Sequence, residues 1–192
     1  DSIWVYDHVH NVPVPAHEAV FECWTTTAAL AQATSTIRLG QMVSCAGYRN
    51  PALVAKITST IDVISGGRLD WGIGAGWYDS EYAAYGYDFP KPSVRFAQLE
   101  EVITICRLMW TEAEPSFEGT HFRIAGASAP PLPNPVPRIC IGASGEKIGL
   151  PLVGRLADMW NSFFRGVDDW NRRLGIVRAA ADPLAGFPEV TM

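Results

Sequence analysis

No stretch of the chain holds the roughly 18 consecutive apolar residues that a membrane-spanning helix needs, so no membrane span is expected. Positive charge is scarce as well: 15 Lys and Arg stand against 20 Asp and Glu, a formal net charge of −5. That balance argues against nucleic acid and anionic membranes as partners, because both are gripped by clustered Lys and Arg. Cysteine numbers four (Cys23, Cys45, Cys106, Cys140), widely scattered and without a C-x-x-C pair. Zinc sites and disulfide frameworks need closer, patterned spacing, so reduced and mostly buried thiols in a cytoplasmic protein are expected. Residues 1–6 carry neither a basic n-region nor a cleavage site and do not read as a signal peptide. What is present is 192 residues, 48% hydrophobic, which suit one soluble globular domain over residues 1–192 with a sizeable core.

Apolar residues 2–6 (SIWVY) read as a short buried strand. Val20, Trp24, Thr27 and Ala31 then fall at helical spacing within 19–33, and 37–43 reads as a second strand. The clearest helix start is Asn50-Pro51, a good N-cap followed by proline at the first helical position. Leu53, Val54, Ile57, Ile61 and Ile64 recur along the buried face of that helix, and Gly66-Gly67 ends it. A third strand over 69–73 runs into Gly74-Ala75-Gly76. Residues 93–110 form a long amphipathic helix with Phe96, Leu99, Ile103, Cys106 and Trp110 along one stripe. Residues 113–137 read as an insertion: a hairpin over 117–122 with Gly119 in the turn, then a proline-rich loop. A strand at 138–141, a helix over about 146–156, a strand at 159–163 and a helix over 167–181 follow.

Strands and helices thus alternate, which argues for a parallel sheet with right-handed crossovers. Spacing alone does not separate an open doubly wound sheet from a closed barrel. Against nucleotide binding by an open sheet, Trp77 stands where the third glycine of G-x-G-x-x-G belongs. No G-x-x-x-x-G-K-[ST] phosphate loop occurs either.

Polar residues and glycines gather where strands end: Asp7-His8-Val9-His10, Ser44-Cys45-Ala46-Gly47, Gly74-Ala75-Gly76, Gly142-Ala143-Ser144-Gly145 and Asn161-Ser162. In a parallel β/α fold these points share one face, where side chains converge on a ligand. His8, directly after Asp7, can hydrogen-bond or transfer protons near neutral pH, or stand as a solvated loop histidine. His10 and His17 are weaker candidates. Asp7, His8 and His10 lack the i, i+4 geometry of a helical metal site, and no metal is expected. Small residues at Gly142-Ala143-Ser144-Gly145 before a helix let backbone N–H groups approach an anion, although a plain βα turn fits the same residues. Trp77, Tyr78, Tyr82, Tyr85 and Tyr87 suit a wall for a flat ring system and equally a packed loop over the rim.

Several segments, in order, carry a likeness to known proteins. They are Ser2-Ile3-Trp4-Val5-Tyr6-Asp7-His8, Ile37-Arg38-Leu39-Gly40, Tyr48-Arg49-Asn50-Pro51-Ala52, and Ile64-Ser65-Gly66-Gly67-Arg68-Leu69 with the preceding Asp62-Val63. Further on come Gly72-Ile73-Gly74-Ala75-Gly76-Trp77, Ile141-Gly142-Ala143-Ser144-Gly145 and Ala157-Asp158-Met159-Trp160-Asn161. The ordered set covers nearly all of residues 1–162 and resembles the bacterial luciferase-like superfamily, in particular its branch that uses the deazaflavin coenzyme F420. The resemblance implies an α/β fold, a TIM (β/α)8 barrel of the luciferase-like type, with coenzyme F420 or alternatively FMN on one face. It places His8 at the reactive edge of the ring, with Asp7 orienting it. It implies that Met42, Val43, Ser44, Cys45 and Ala46, where family members often carry a non-prolyl cis peptide, shape the ring. Gly74, Gly76 and Trp77 would meet the cofactor tail, and Ala143, Ser144 and Gly145 its phosphate. It also implies a homodimer and a small-molecule substrate.

Two departures from the family's pattern matter. Its sugar-phosphate dehydrogenases place a glutamate directly after the fourth strand's Gly-x-Gly; Trp77 stands there in this sequence, which disfavours that substrate. A complete barrel takes about 250 residues. The first and last strands are therefore expected to be missing, with residues after about 164 leaving the pattern. The resulting expectation is a flavin- or deazaflavin-dependent oxidoreductase performing hydride transfer or monooxygenation on a small organic substrate. Its rival is a non-catalytic barrel relative that serves as carrier, sensor or accessory subunit.

Overall fold

The structure, a computed structural model, describes every residue except Val14, Pro15, His17, Asp182, Leu184, Ala185 and Met192. The weak candidate His17 therefore lies outside the described residues.

Strand β1 (Ser2–Val5) pairs in parallel with β2 (Arg38–Gln41), and β2 pairs in parallel with β4 (Leu69–Gly74). The two-residue β3 (Ser44–Cys45) continues the line of β2 along β4. From Gly40 to Ser44 the chain advances four residues while its partner advances three, from Asp70 to Ile73. The extra residue makes a bulge that re-aims the backbone at the strand's C-terminal end. A cis peptide joins Met42 to Val43 there. Beyond β4 come β7 (Arg138–Gly142), β8 (Met159–Asn161) and β9 (Glu189–Thr191), all parallel.

The main path, β1-β2-β4-β7-β8-β9, follows chain order without reversal. A doubly wound sheet reverses direction at its switch point, so the arrangement is an arc of a β/α barrel. The arc runs further than the sequence suggests: residues after 164 keep the β-α-β pattern, with β9 parallel to β8. Strand β9 has three residues and is held by pairing across the sheet, a signal that local periodicity does not carry.

Helices cover the outer face. α1 (Cys23–Ala33) buries Trp24, Thr27 and Ala31 as their spacing requires, while Glu22 caps it by accepting from the Thr25 N–H. α2 (Pro51–Ser65) starts at Asn50, whose Oδ1 accepts from the Ala52 and Leu53 N–H groups, and ends at Gly66 in the left-handed conformation. Asn50→Ala is expected to cost about 1 kcal/mol, read as a lowered thermal midpoint. The buried face of α2 is rotated from the apolar stripe: Val54, Thr58, Ile61 and Ser65 are buried, whereas Leu53 and Ile64 are exposed. Polar residues can take the inside because their hydroxyls have partners. Thr58 donates to the Val54 carbonyl and accepts from the Trp110 indole N–H, and Ser65 donates to Asp62 O.

Trp110 belongs to α4 (Pro92–Thr111), which buries Leu99, Ile103 and Cys106 along the expected stripe and Val102, Ile105 and Met109 beside it. Trp71 of β4 meets Trp110 edge-to-face at 5.3 Å between ring centroids, which fixes strand against helix. A short helix α3 (Asp79–Ala84) precedes α4. The hairpin, β5 (Phe117–Glu118) and β6 (Arg123–Ile124), is held by Glu101, whose carboxylate accepts from the N–H groups of Thr120, His121 and Phe122. Helices α5 (Gly149–Leu156) and α6 (Val167–Ala180) close the outer layer. Among the described residues, no helix is long and apolar enough to cross a membrane.

At the N-terminal ends of the strands Asp70 is buried between two arginines. Arg38 donates to it through Nε and Nη2 at 2.6 Å each, and Arg138 at 2.9 and 3.0 Å. One carboxylate thus ties β2, β4 and β7 together at the end of the sheet opposite the cavity described next.

Candidate active site

A cavity of about 700 Å³ opens over the C-terminal ends of the strands. That size accommodates a drug- or cofactor-sized ring system. Asp7, His8, Met42, Val43, Ser44 and Cys45 line it from the β1 and β2–β3 ends. Gly74, Gly76 and Trp77 line it from β4, and Ala143, Ser144 and Gly145 from β7. Of the residues predicted for the site, Ala46 is not in the lining. It is buried, and its N–H donates to the Gly74 carbonyl, which stitches β3 to β4.

The floor is shaped by close approach. A Cβ on Gly74 would stand 2.9 Å from Val43 Cγ2, and one on Gly142 would stand 2.8 Å from the same methyl. Val43 therefore fills a lane that glycine leaves open in two neighbouring strands. Ser44 lines the cavity but turns its hydroxyl into the sheet, donating to Gly72 O and accepting from Trp71 Nε1. Cys45 Sγ lies 2.8 Å from the Tyr82 hydroxyl, and burial pushes its thiol up to about 11, so it stays protonated.

Asp7 and His8 do not work on each other. The Asp7 carboxylate is almost fully buried and takes both Nη atoms of Arg49, at 2.6 and 2.9 Å, and the Cys45 N–H at 2.9 Å. Asp7 therefore anchors the β3 turn and does not orient the imidazole. Glu81, on α3, orients it. His8 Nδ1 lies 2.6 Å from Glu81 Oε2, the Tyr48 hydroxyl donates to the same oxygen at 2.6 Å, and Val9 N–H donates to Oε1 at 2.6 Å. His10 N–H adds a longer bond to Oε1. Glu81 is wholly buried; burial alone would push its carboxyl up, but the bonds from Tyr48, His8 and Val9 outweigh it and hold it below the usual glutamate range.

Glu81 is the partner of His8 that sequence reasoning missed. In the sequence it sits in Asp79-Ser80-Glu81, an ordinary polar start to a helix. The available cue was a pair of carboxylates, Asp79 and Glu81, inside a run of tyrosines. Those tyrosines divide between the two readings left open for them. Trp77 and Tyr78 wall the cavity. Tyr82 and Tyr87 pack with Tyr48, Tyr87 stacking on it at 4.8 Å, and Tyr85 donates to Val9 O.

At the opposite wall the N–H groups of Ser144, Gly145 and Glu146 make no backbone hydrogen bond among the described residues. The loop they occupy is fixed from behind by Trp160, whose indole N–H donates to Ala143 O at 2.9 Å. Trp160 in turn stacks on Trp170 at 5.0 Å with the rings nearly parallel. Helix α5 begins three residues later than the spacing suggests, at Gly149, so these donors belong to a loop and turn before it. A fixed loop with unspent N–H donors fits a phosphate group. His10 Nε2 is buried without a partner among the described residues, and no group of three His, Cys, Asp or Glu side chains there could hold a metal ion.

A barrel arc with a ring-sized cavity at its strand C-termini, a held histidine on one side and a loop of free N–H donors on the other defines a β/α-barrel type of protein whose ligand site lies at the strand C-termini. The chain belongs to the luciferase-like monooxygenase family, whose profile matches residues 1–183. It is 33% identical over 215 residues to a phthiodiolone/phenolphthiodiolone dimycocerosates ketoreductase of Mycobacterium tuberculosis (strain ATCC 25618 / H37Rv), covering 98% of this chain and 55% of the relative. It is 35% identical over 161 residues to an F420-dependent glucose-6-phosphate dehydrogenase of Intrasporangium calvum, covering 82% of this chain and 46% of the relative. In structure it resembles an F420-dependent secondary alcohol dehydrogenase solved with an F420-acetone adduct. The TM-score is 0.80 and the identity 25%, over 99% of this chain and 58% of that one. The chain spans about half the length of the curated relatives it matches.

Proposed function

We propose that the protein is a cofactor-dependent oxidoreductase, with coenzyme F420 favoured over FMN, that transfers hydride to or from a small uncharged alcohol or carbonyl compound. One observation carries the proposal: His8, locked onto a buried carboxylate, lines the same cavity as the phosphate-type loop. The residues fit the cofactor: the cavity takes a flat ring, and Ser144 and Gly145 offer N–H donors to its phosphate. When bound, the ring system supplies the carbon that accepts or gives the hydride.

The chain's own residues do the rest. Val43, over the glycines of β4 and β7, sets the depth at which a ring can lie. Trp77 and Tyr6 flank His8, at 5.7 and 5.6 Å between ring centroids. His8 Nε2 is the ring nitrogen left free of Glu81. It takes the proton from a substrate hydroxyl as the alcohol is oxidised and returns it in reduction. Among the residues lining the cavity none is Lys or Arg, which supports an uncharged substrate over a sugar phosphate. The scattered cysteines, all free, support a reducing, cytoplasmic setting.

Titration with coenzyme F420 and with FMN, followed by cofactor fluorescence, tests the proposal. Saturable binding of one of them is expected, and failure of both to bind removes it. Bound, reduced cofactor that is never reoxidised by ketone acceptors would favour the non-catalytic carrier instead.

A further inference from the structure

The Glu81 side chain, ionised, can only accept hydrogen bonds. Its Oε1 faces two backbone N–H groups, of Val9 and His10, which can only donate. Its Oε2 faces His8 Nδ1 and the Tyr48 hydroxyl, both of which can either donate or accept. An ionised carboxylate has no proton to offer, so the neutral imidazole can satisfy this contact in one tautomer alone, with its hydrogen on Nδ1. The carboxylate stays ionised because its surroundings hold it below the ordinary glutamate range despite complete burial.

Building on the proposed role of His8, we propose that Glu81 is the positioning residue that fixes His8 as the Nδ1–H tautomer, so that Nε2 meets the substrate as a proton acceptor. Tyr48 is a second donor to the same oxygen and holds the carboxylate in its rotamer. The Asp7–Arg49 pair on the neighbouring turn fixes the chain on which His8 is carried and leaves the imidazole to Glu81. The arrangement is the second-neighbour logic of a carboxylate–histidine pair, in which the carboxylate selects the ring nitrogen that does the work.

An isosteric change inverts the choice. In Glu81→Gln the two fixed backbone donors of Val9 and His10 claim the amide oxygen. The amide NH2 is then turned toward His8 and Tyr48, which must accept. Tyr48 does so by rotating its hydroxyl, and His8 by moving its hydrogen to Nε2. The variant would present a hydrogen-bond donor to the substrate where the wild type presents an acceptor.

Long-range proton–nitrogen correlation spectra of the 15N-labelled 192-residue protein test this without cofactor. His8→Ala assigns the His8 signals among the four histidines. Above the histidine titration range, the wild-type ring is expected as Nδ1–H, Tyr48→Phe as Nδ1–H, and Glu81→Gln mainly as Nε2–H. A wild-type ring that is Nε2–H, or an even mixture, overturns the proposal by itself, as does a folded Glu81→Gln protein with an unchanged tautomer. If Glu81→Gln does not fold, the wild-type and Tyr48→Phe spectra still decide. Because no cofactor is present, these outcomes are independent of whether F420 or FMN binds.

Discussion

His8→Ala is expected to lower turnover by about 10²- to 10⁴-fold, the usual share of a positioned acid or base, while cofactor affinity stays at its wild-type value. In free-energy terms that is about 3–5 kcal/mol of transition-state stabilisation. The separation between the two readouts follows from the geometry. The imidazole makes one polar contact with the protein among the described residues, to Glu81. Removing it leaves Glu81 with its bonds from Tyr48, Val9 and His10, so no buried carboxylate is orphaned and the fold is kept. The phosphate-type loop is on the far wall and is held by Trp160. Steady-state rates with an uncharged secondary alcohol, beside a fluorescence titration of the cofactor, check both halves. Unchanged turnover would take His8 out of the reaction, and lost affinity would make it a binding residue.

The second large effect is on stability. Asp70→Ala is expected to destabilise the fold by about 3 kcal/mol, the lower end of the range for breaking a buried ion pair. Asp70 is 1% exposed, whereas Arg38 and Arg138 are 37% and 41% exposed. The stranded guanidiniums can therefore turn partly into water, which keeps the cost from rising further. Burial alone would push the Asp70 carboxyl up; hydrogen bonds from Arg38 and Arg138 outweigh that and hold it below the ordinary aspartate range. A depressed native value means that the unfolded chain takes up its proton first as pH falls. The contribution is thus complete above the unfolded aspartate value of about 4 and is lost as pH drops through the native one. Urea unfolding of wild type and Asp70→Asn over pH 3–7 reads this out. Their stabilities should converge at the acid end and part toward neutrality; curves that stay parallel would show that Asp70 is not the linked group.

The parts of this fold that can be read from sequence are those whose cause is local. The Asn50 cap, Pro51 and Gly66 bound α2 because each acts on its own backbone. The stripe of α4 is legible because leucine and isoleucine have no polar group that could find a competing partner. What escapes is set by distant neighbours. The face of α2 turns on Trp110 reaching Thr58 across 52 residues, and β9 exists because β8 offers it an edge. The site divides in the same way. Glycines and small residues at strand ends mark where a ligand can approach, and all but Ala46 and Gly47 of those predicted reach the cavity wall. The partner of His8 is 73 residues away in the chain, on a six-residue helix, and adjacency to Asp7 points to the wrong carboxylate.

Val43 and the two glycines it overlies, Gly74 and Gly142, share one small volume among three strand segments. None of the three can be enlarged independently, since a methyl added to either glycine collides with the valine, and trimming the valine deepens the floor under both. How deep a planar guest lies, and so which of its faces and edges reaches His8, is a joint property of these positions. Variation toward a different ring would have to travel through them as a set.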